Sequence, residues 1–314
     1  MTRRILITCP QMQRYAADYS ALFAGHGLQA DLPPVIQQLD ESELLKIIDQ
    51  YEGVIAGDDE FTERVIAQAT RLRAISKWGV GIDNIDQDAA RARGIRVTNT
   101  PGTFADEVAD VAVGYLVLLA RQLHHIDAGV RSGQWPKIEG TSLAGKALTI
   151  VGLGSIGTAL ARRAQAMGMD VTGFEIEDAR RDAAHAMGIE LLELDAALRS
   201  ADFVSLNCPL TTENRHMLGA TQFSEMRRGV FLVNTARGPL IDEAALIRAL
   251  ETGQVAGAAL DVFEDEPLPM SSQLRKFDNM IFGAHNSSNT AEAARRVNDL
   301  AVQNLLDSLA RDSA

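Results

Sequence analysis

The chain has 314 residues, with 30 Lys and Arg against 42 Asp and Glu and a formal net charge of −12. Its 46% hydrophobic and 23% charged residues are those of an ordinary globular protein, which excludes a disordered or collagen-like chain. The acidic balance argues against nucleic acid as the main partner. It leaves room for a small anionic substrate held by a few local positive groups.

In chain order, the run from Met1 to Cys9 has positive charge but only a short apolar stretch before Pro10, so it reads as a first strand rather than a secretion signal. Ile5–Thr8, Val54–Ala56, Ala74–Ser76 and Ile95–Thr98 are short and apolar or β-branched. Helical stretches such as Glu41–Asp49 and Thr62–Ala69 lie between them. Such alternation predicts βαβ units and a parallel sheet. Asn99-Thr-Pro-Gly102 breaks the series, and a long helical pattern runs from near Asp106 to about Arg121. Within it, Val111–Ala120 is the longest apolar run, well short of the roughly 20 residues that span a bilayer. A second series predicts six strands: Ala147–Val151, Asp170–Phe174, Phe203–Leu206, Val230–Val233, Gly257–Leu260 and Met280–Phe282. Six is the number in a dinucleotide-binding sheet. After the polar turn Gly283–Thr290, a helix from Ala291 to about Ala310 is expected to cross back onto the first domain. The predicted domains are therefore 1–100 with 287–314, and 101–286, with a hinge and a cleft between the lobes. The two cysteines, Cys9 and Cys208, build neither a disulfide framework nor a zinc site. The expectation is a soluble cytoplasmic protein with no metal and no membrane partner.

Gly152-Leu-Gly-Ser-Ile-Gly157 follows an apolar run and precedes a helix-forming stretch, Thr158 to Met167. In that context the glycines have distinct duties. Gly152 permits the tight turn, Gly154 lets backbone approach a pyrophosphate, and Gly157 lets helix pack on strand. Free N–H groups and the helix dipole then favour negative charge. Glu175 ends the next strand, 18 residues beyond Gly157. A carboxylate there accepts from ribose hydroxyls and repels a 2′-phosphate, which favours NAD over NADP. Arg180-Arg181 is the competing detail, since it suits a 2′-phosphate.

Ligands of open α/β sheets bind at the carboxyl ends of the strands. The predicted strands deliver the glycine turn, Glu175, Asn207–Thr211, Thr235-Ala-Arg237, Asp261 with Glu266 behind it, and His285 to that edge. A guanidinium, a carboxylate and an imidazole there suit hydride transfer to a 2-keto acid. Arg237 would grip a substrate carboxylate with two parallel hydrogen bonds. His285 would protonate the carbonyl oxygen as hydride reaches carbon. Glu266 would hold the other ring nitrogen, fixing the tautomer.

Gly152–Gly157, Asn234-Thr-Ala-Arg-Gly238, Ala259–Pro267 and the late His285 resemble the D-isomer-specific 2-hydroxyacid dehydrogenase family, as do Lys77–Asp86 and Asn99–Gly102. The likeness covers nearly the whole chain and is greatest to the phosphoglycerate dehydrogenase and glyoxylate/hydroxypyruvate reductase branch. It implies an α/β fold of two doubly wound parallel-sheet domains, a Rossmann NAD-binding domain inserted in a flavodoxin-like substrate domain. It further implies Arg237 as carboxylate binder, Glu266 with His285 as the acid–base pair, and a homodimer formed largely through the nucleotide-binding domain. Cofactor contacts are implied at Ser155, Ile156, Glu175, Cys208, Thr235, Ala236 and Asp261, and substrate contacts at Lys77 and the amides of Val80 and Gly81. Lys77 stands where the family often has Arg, a point charge in place of a fork. The acidic loop Ala56-Gly-Asp-Asp-Glu60 disfavours a phosphorylated substrate.

Other nicotinamide enzymes fit less well. None of the four tyrosines has Lys four residues later, so the short-chain dehydrogenase pair is absent. Two cysteines cannot supply both zinc sites of a medium-chain alcohol dehydrogenase. The alternative of another class is a non-enzymatic NAD-sensing module of the same fold, akin to corepressors.

Overall fold

Among the residues that the computed structural model describes, 3–310, every ladder is parallel and two sheets form. The chain divides into two units, Met1–Thr103 with Asn289–Ala314, and Phe104–Ser288.

The first unit holds β1 (Arg3–Ile7), β2 (Leu28–Asp31), β3 (Gly53–Ala56), β4 (Ala74–Lys77) and β5 (Arg96–Thr98). Their order, β2-β1-β3-β4-β5, is that of a flavodoxin-like sheet. β3 and β4 are buried at every position, as central parallel strands covered on both faces must be. β2 is absent from the sequence reading because it is an edge strand with one buried residue, Leu28, and so has no apolar pattern. Glu41–Asp49 forms only one α-turn, Glu41–Leu44, followed by a 3-10 turn at Ile48–Gln50. The β-branched Ile47-Ile48 pair and Asp49 are weak helix formers. The helix Ala291–Ala310 buries Ala294, Val297, Ala301, Leu305 and Leu309 along one stripe and packs on β3, β4 and β5. A methyl on Gly53 would lie 2.8 Å from Leu305 Cδ1, so the strand is bare where the helix comes nearest. The Ser76 hydroxyl donates to the Ala301 carbonyl at 2.8 Å, and the Trp78 indole N–H donates to Asn298 Oδ1 at 2.6 Å.

The second unit holds β6 (Ala147–Val151), β7 (Asp170–Phe174), β8 (Glu190–Leu191), β9 (Phe203–Leu206), β10 (Val230–Asn234), β11 (Val255–Leu260) and β12 (Met280–Phe282). The order is β12-β11-β10-β9-β6-β7-β8, the dinucleotide-binding arrangement with one more strand at the β12 edge. The sequence predicts six strands here; the seventh, β8, has only two residues and no period to detect. On one face the helices Ala105–Arg121 and Ser155–Ala166 pack together through Ala109, Ala112, Leu116, Leu160 and Ala164. The apolar run from Val111 is therefore a core helix. On the other face Leu198, Phe223, Leu246 and Leu250 cover Val204 and Leu232. No helix among the described residues is long and apolar enough to cross a membrane.

The registers align one row across six strands: Phe174, Val151, Leu206, Asn234, Leu260 and Phe282 are successive partners. Everything just beyond that row stands at the carboxyl edge, on strands roughly 4.8 Å apart.

Candidate active site

The glycine turn leaves the row at Val151. Gly152 has φ +92°, and a methyl there would lie 2.8 Å from both N and Cα of Cys208. A methyl on Gly157 would lie 2.0 Å from the Gly152 carbonyl oxygen. Gly154 differs. Its φ of −65° is ordinary, and the nearest atom to a methyl there is Arg180 Nη1 at 3.9 Å. The turn is thus closed at its ends and open in the middle. The helix begins at Ser155, three residues before the predicted Thr158, with Gly154 as its N-cap and no side-chain cap. Ser155 and Ile156 therefore stand in the first helical turn, where N–H groups have no intrahelical acceptor and the dipole favours anions.

Glu175 is 3% exposed. Its Oε2 accepts from Leu153 N–H at 2.8 Å, and its Oε1 accepts from Ile176 N–H at 2.8 Å and Glu177 N–H at 3.0 Å. The carboxylate thereby ties the glycine turn to the loop after β7, with its charge met by three amide dipoles. Beside it lies a pocket of about 470 Å³, walled by Gly154, Ile176, Leu194, Cys208, Pro209 and Met217 among others. Burial pushes the Cys208 thiol up to about 11, so it meets the pocket as a neutral group. Two buried polar atoms beyond the row, Asn207 Oδ1 and Thr235 Oγ1, have no partner among the described residues. An open glycine cradle, uncapped helical N–H groups, an apolar pocket and two orphaned oxygens fit a dinucleotide. Gly154, Ser155 and Ile156 would hold its phosphates, and Thr235 and Asn207 would meet polar groups along it. Among the described residues no cluster of His, Cys, Asp and Glu is placed to hold a metal ion.

The loops after β10, β11 and β12 carry the ionisable set. Asn234, fully buried, accepts from Ala236 N–H at 3.0 Å and donates to the Arg237 carbonyl at 2.8 Å, which folds Thr235–Arg237 back over the strand end. A methyl on Gly238 would fall 1.9 Å from the carbonyl carbon and oxygen of Phe263. The Arg237 loop and the Glu266 loop are therefore in backbone contact. Glu266 Oε1 accepts from Phe263 N–H at 2.8 Å, and its Oε2 meets His285 Nδ1 at 2.7 Å. His285 has φ +49°, a left-handed conformation that a non-glycine residue keeps only when its surroundings impose it. Asp261 imposes it. Its carbonyl accepts from His285 N–H at 2.7 Å, and its carboxylate oxygens accept from Asn286 N–H at 3.2 Å and Ser287 N–H at 2.8 Å. Burial, with Asp261 adding to it, raises the Tyr115 phenol well above its ordinary range. A methyl on Gly283 would strike both Asp261 Oδ1 and the Tyr115 hydroxyl, at 2.0 and 2.5 Å. Asp261, expected to touch cofactor, has its carboxylate on the loop that presents His285.

The predicted substrate contacts lie in the first unit. Lys77 is 2% exposed, and its ammonium donates to the Gly57 carbonyl and Asp58 Oδ1, both at 2.6 Å. Of the three acids in that loop, Asp58 is paired with Lys77. Asp59 is turned inward onto Leu39 N–H at 2.8 Å, Gly57 N–H at 2.9 Å and the Thr8 hydroxyl, where burial raises its pKa. Glu60 is exposed. Val80 is 41% exposed, and among the described residues the N–H groups of Val80 and Gly81 have no protein acceptor.

Asn234 and Gly238 stand in a motif the sequence shows, but their structural roles, like those of Gly283 and Tyr115, escape the sequence reading. Asn234 alone carried a local signal, since Asn before a turn commonly bonds the backbone two residues on. The others act on partners distant in sequence.

Residues 113–287 match the family model described as D-isomer specific 2-hydroxyacid dehydrogenase, NAD binding domain. The chain is 38% identical over 283 residues to a glyoxylate reductase of Thermofilum pendens, covering 88% of this chain and 82% of that one. It is 36% identical over 285 residues to a hydroxypyruvate reductase of Thermotoga maritima, covering 89% and 92%. Its structure resembles that of a D-lactate dehydrogenase from Aquifex aeolicus complexed with NAD and lactic acid, with a TM-score of 0.86, 26% identity and coverage of 98% and 96%.

Proposed function

Since the chain belongs to the D-isomer-specific 2-hydroxyacid dehydrogenase family, we propose that Arg237, Glu266 and His285 are its reacting set. The protein is an NAD-dependent oxidoreductase acting on the CH–OH group of 2-hydroxy acids. Bound nicotinamide supplies or accepts the hydride. His285 Nε2 gives a proton to the carbonyl oxygen during reduction and takes it back during oxidation. Glu266, on Nδ1, fixes the tautomer and stabilises the imidazolium that precedes proton transfer. Arg237 holds the substrate carboxylate with two N–H donors, which orients the neighbouring carbonyl. Asp261 acts beneath this set by holding the His285 loop. In the first unit, the unpaired amides of Val80 and Gly81 are suited to a carboxylate.

The substrate we assign is a small unphosphorylated 2-keto acid of the glyoxylate or hydroxypyruvate kind. Lys77 supports this: its charge is matched by Asp58, which leaves a phosphate poorly served. We also assign a homodimer. The helix Leu123–Arg131 buries none of its residues, and Leu123, Val130 and Trp135 are 40%, 45% and 75% exposed, an apolar group that a second copy would cover. Two free thiols accord with a reducing, cytoplasmic setting.

The observation that carries the reading is the 2.7 Å contact between His285 Nδ1 and Glu266 Oε2, on loops leaving adjacent strands of the sheet that bears the glycine turn. The test is NADH oxidation with glyoxylate, hydroxypyruvate and pyruvate. His285→Ala is expected to lower kcat about 100-fold or more with NADH affinity unchanged, and wild-type turnover would remove His285 from the reaction. A wild-type chain that binds NADH but oxidises it with none of these acids would return the cofactor-sensing alternative.

A further inference from the structure

Resting on the NAD-dependent reading, we propose that Arg180 is the phosphate-binding cation of the dinucleotide pocket. Four observations lead to it. Among the described residues the pocket wall carries three carboxylates, Glu177 and Glu213 together with Glu175, whose oxygens are already met by backbone N–H groups, and Arg180 is the one cationic side chain on it. A polyanionic dinucleotide entering such a pocket needs compensation beyond amide dipoles. The Arg180 guanidinium already stands at the right place, since Nη1 is the nearest atom to the open side of Gly154, at 3.9 Å from a methyl built there. That is the point of the turn where backbone and pyrophosphate approach each other.

Arg180 also lacks a structural occupation. Arg181 donates to the Glu175 carbonyl at 2.7 Å, whereas among the described residues Arg180 forms no side-chain hydrogen bond or ion pair. It lies in the first turn of the helix Asp178–Ala186, where the helix dipole disfavours a cation. Local stability therefore gives no reason for it. A planar guanidinium with unused donors does match two phosphate oxygens.

The chemistry recognised is a phosphate of the dinucleotide. Proximity to Gly154 favours the pyrophosphate bridge, and the 2′-phosphate of NADP is the other source. Dissociation constants of NADH, NADPH and adenosine, measured by calorimetry on the whole protein, separate the two. Arg180→Gln is expected to weaken NADH and NADPH alike by about tenfold and leave adenosine unchanged, with Arg180→Lys recovering part of the loss. A loss confined to NADPH would place the contact on the 2′-phosphate. NADH and NADPH affinities both within twofold of wild type in Arg180→Gln would overturn the proposal. A wild-type protein that binds neither cofactor would instead defeat the underlying reading. The exposed, unpaired side chain makes misfolding of the variant a minor concern, and an unchanged Tm checks it.

Discussion

At the carboxyl edge of the seven-stranded sheet, the loop after β6 offers backbone N–H groups at Gly154, Ser155 and Ile156. The loops after β10, β11 and β12 offer the side chains of Arg237, Glu266 and His285. The first is built locally: Gly152 and Gly157 close it, and Glu175 pins it from the next strand. The second is held by partners far away in sequence. Gly238 lies against Phe263, Asp261 grips residues 285–287, and His285 is kept at a positive φ, a strain on the order of 1 kcal/mol. A helix start with three glycines turns its free N–H groups toward an anion with little help from distant segments. Moving one proton at one oxygen needs ring and carboxylate fixed by a further layer of buried groups.

The contrast can be broken from the side of the proposed reacting set with Gly238→Ala. The added methyl cannot fit against the Phe263 carbonyl, so the loop bearing Glu266 must move. A displacement near 1 Å is expected to lower kcat about 100-fold, while calorimetry shows NADH affinity unchanged. Full activity would mean that the Arg237 and Glu266 loops are independent. A smaller effect is expected from Gly154→Ala on the cofactor side. Its dihedrals suit alanine and its surroundings are open, so Tm should stay put. The methyl would nevertheless stand where backbone meets phosphate, and NADH is expected to bind about tenfold more weakly, roughly 1.4 kcal/mol. A fall in Tm without loss of affinity would make Gly154 a packing residue.

The same contrast explains what the sequence disclosed. The glycine turn and Glu175 are written as short patterns, because their geometry depends on neighbouring strands and a turn; the late His285 is visible as a residue at a strand end, but its hold by Asp261 and Glu266 is not. The long helix Ala105–Arg121 and the C-terminal helix were legible from apolar period alone. β2 and β8 were not, being edge strands with little to bury. Nor was the pairing of Lys77 with Asp58, which depends on β3 lying beside β4. Gly238 and Gly283 look like loop glycines until the chain segments they abut, Phe263 and Asp261, are brought against them. Arg180 and Arg181 look alike in sequence, and the fold alone assigns one to a carbonyl and leaves the other beside Gly154.

The smallest expected effect concerns how the Glu266 loop is anchored. Glu243 and Glu264 exchange bonds: Glu264 N–H donates to Glu243 Oε1 at 2.8 Å, and Glu243 N–H donates to Glu264 Oε1 at 3.3 Å. Burial raises the Glu243 carboxyl above its ordinary value; the Glu264 N–H opposes this, and the charges of Glu264, Asp265 and Glu266 add to the rise. A carboxyl raised on folding binds its proton more tightly in the native state than in the unfolded one. As pH climbs through the ordinary carboxyl range the unfolded chain releases the proton first, and the native state loses stability up to the raised value. Glu243→Gln keeps an oxygen to accept from Glu264 N–H and removes the ionisation. It is therefore expected to raise Tm by about 1–2 °C at pH 7, with the gain vanishing near pH 4, where glutamic acid and glutamine carry the same charge. Catalysis should change less than twofold, because the bond that aligns the loop survives. A lower Tm at pH 7 would mean that the Glu243 charge, rather than its shape, holds the loop in place.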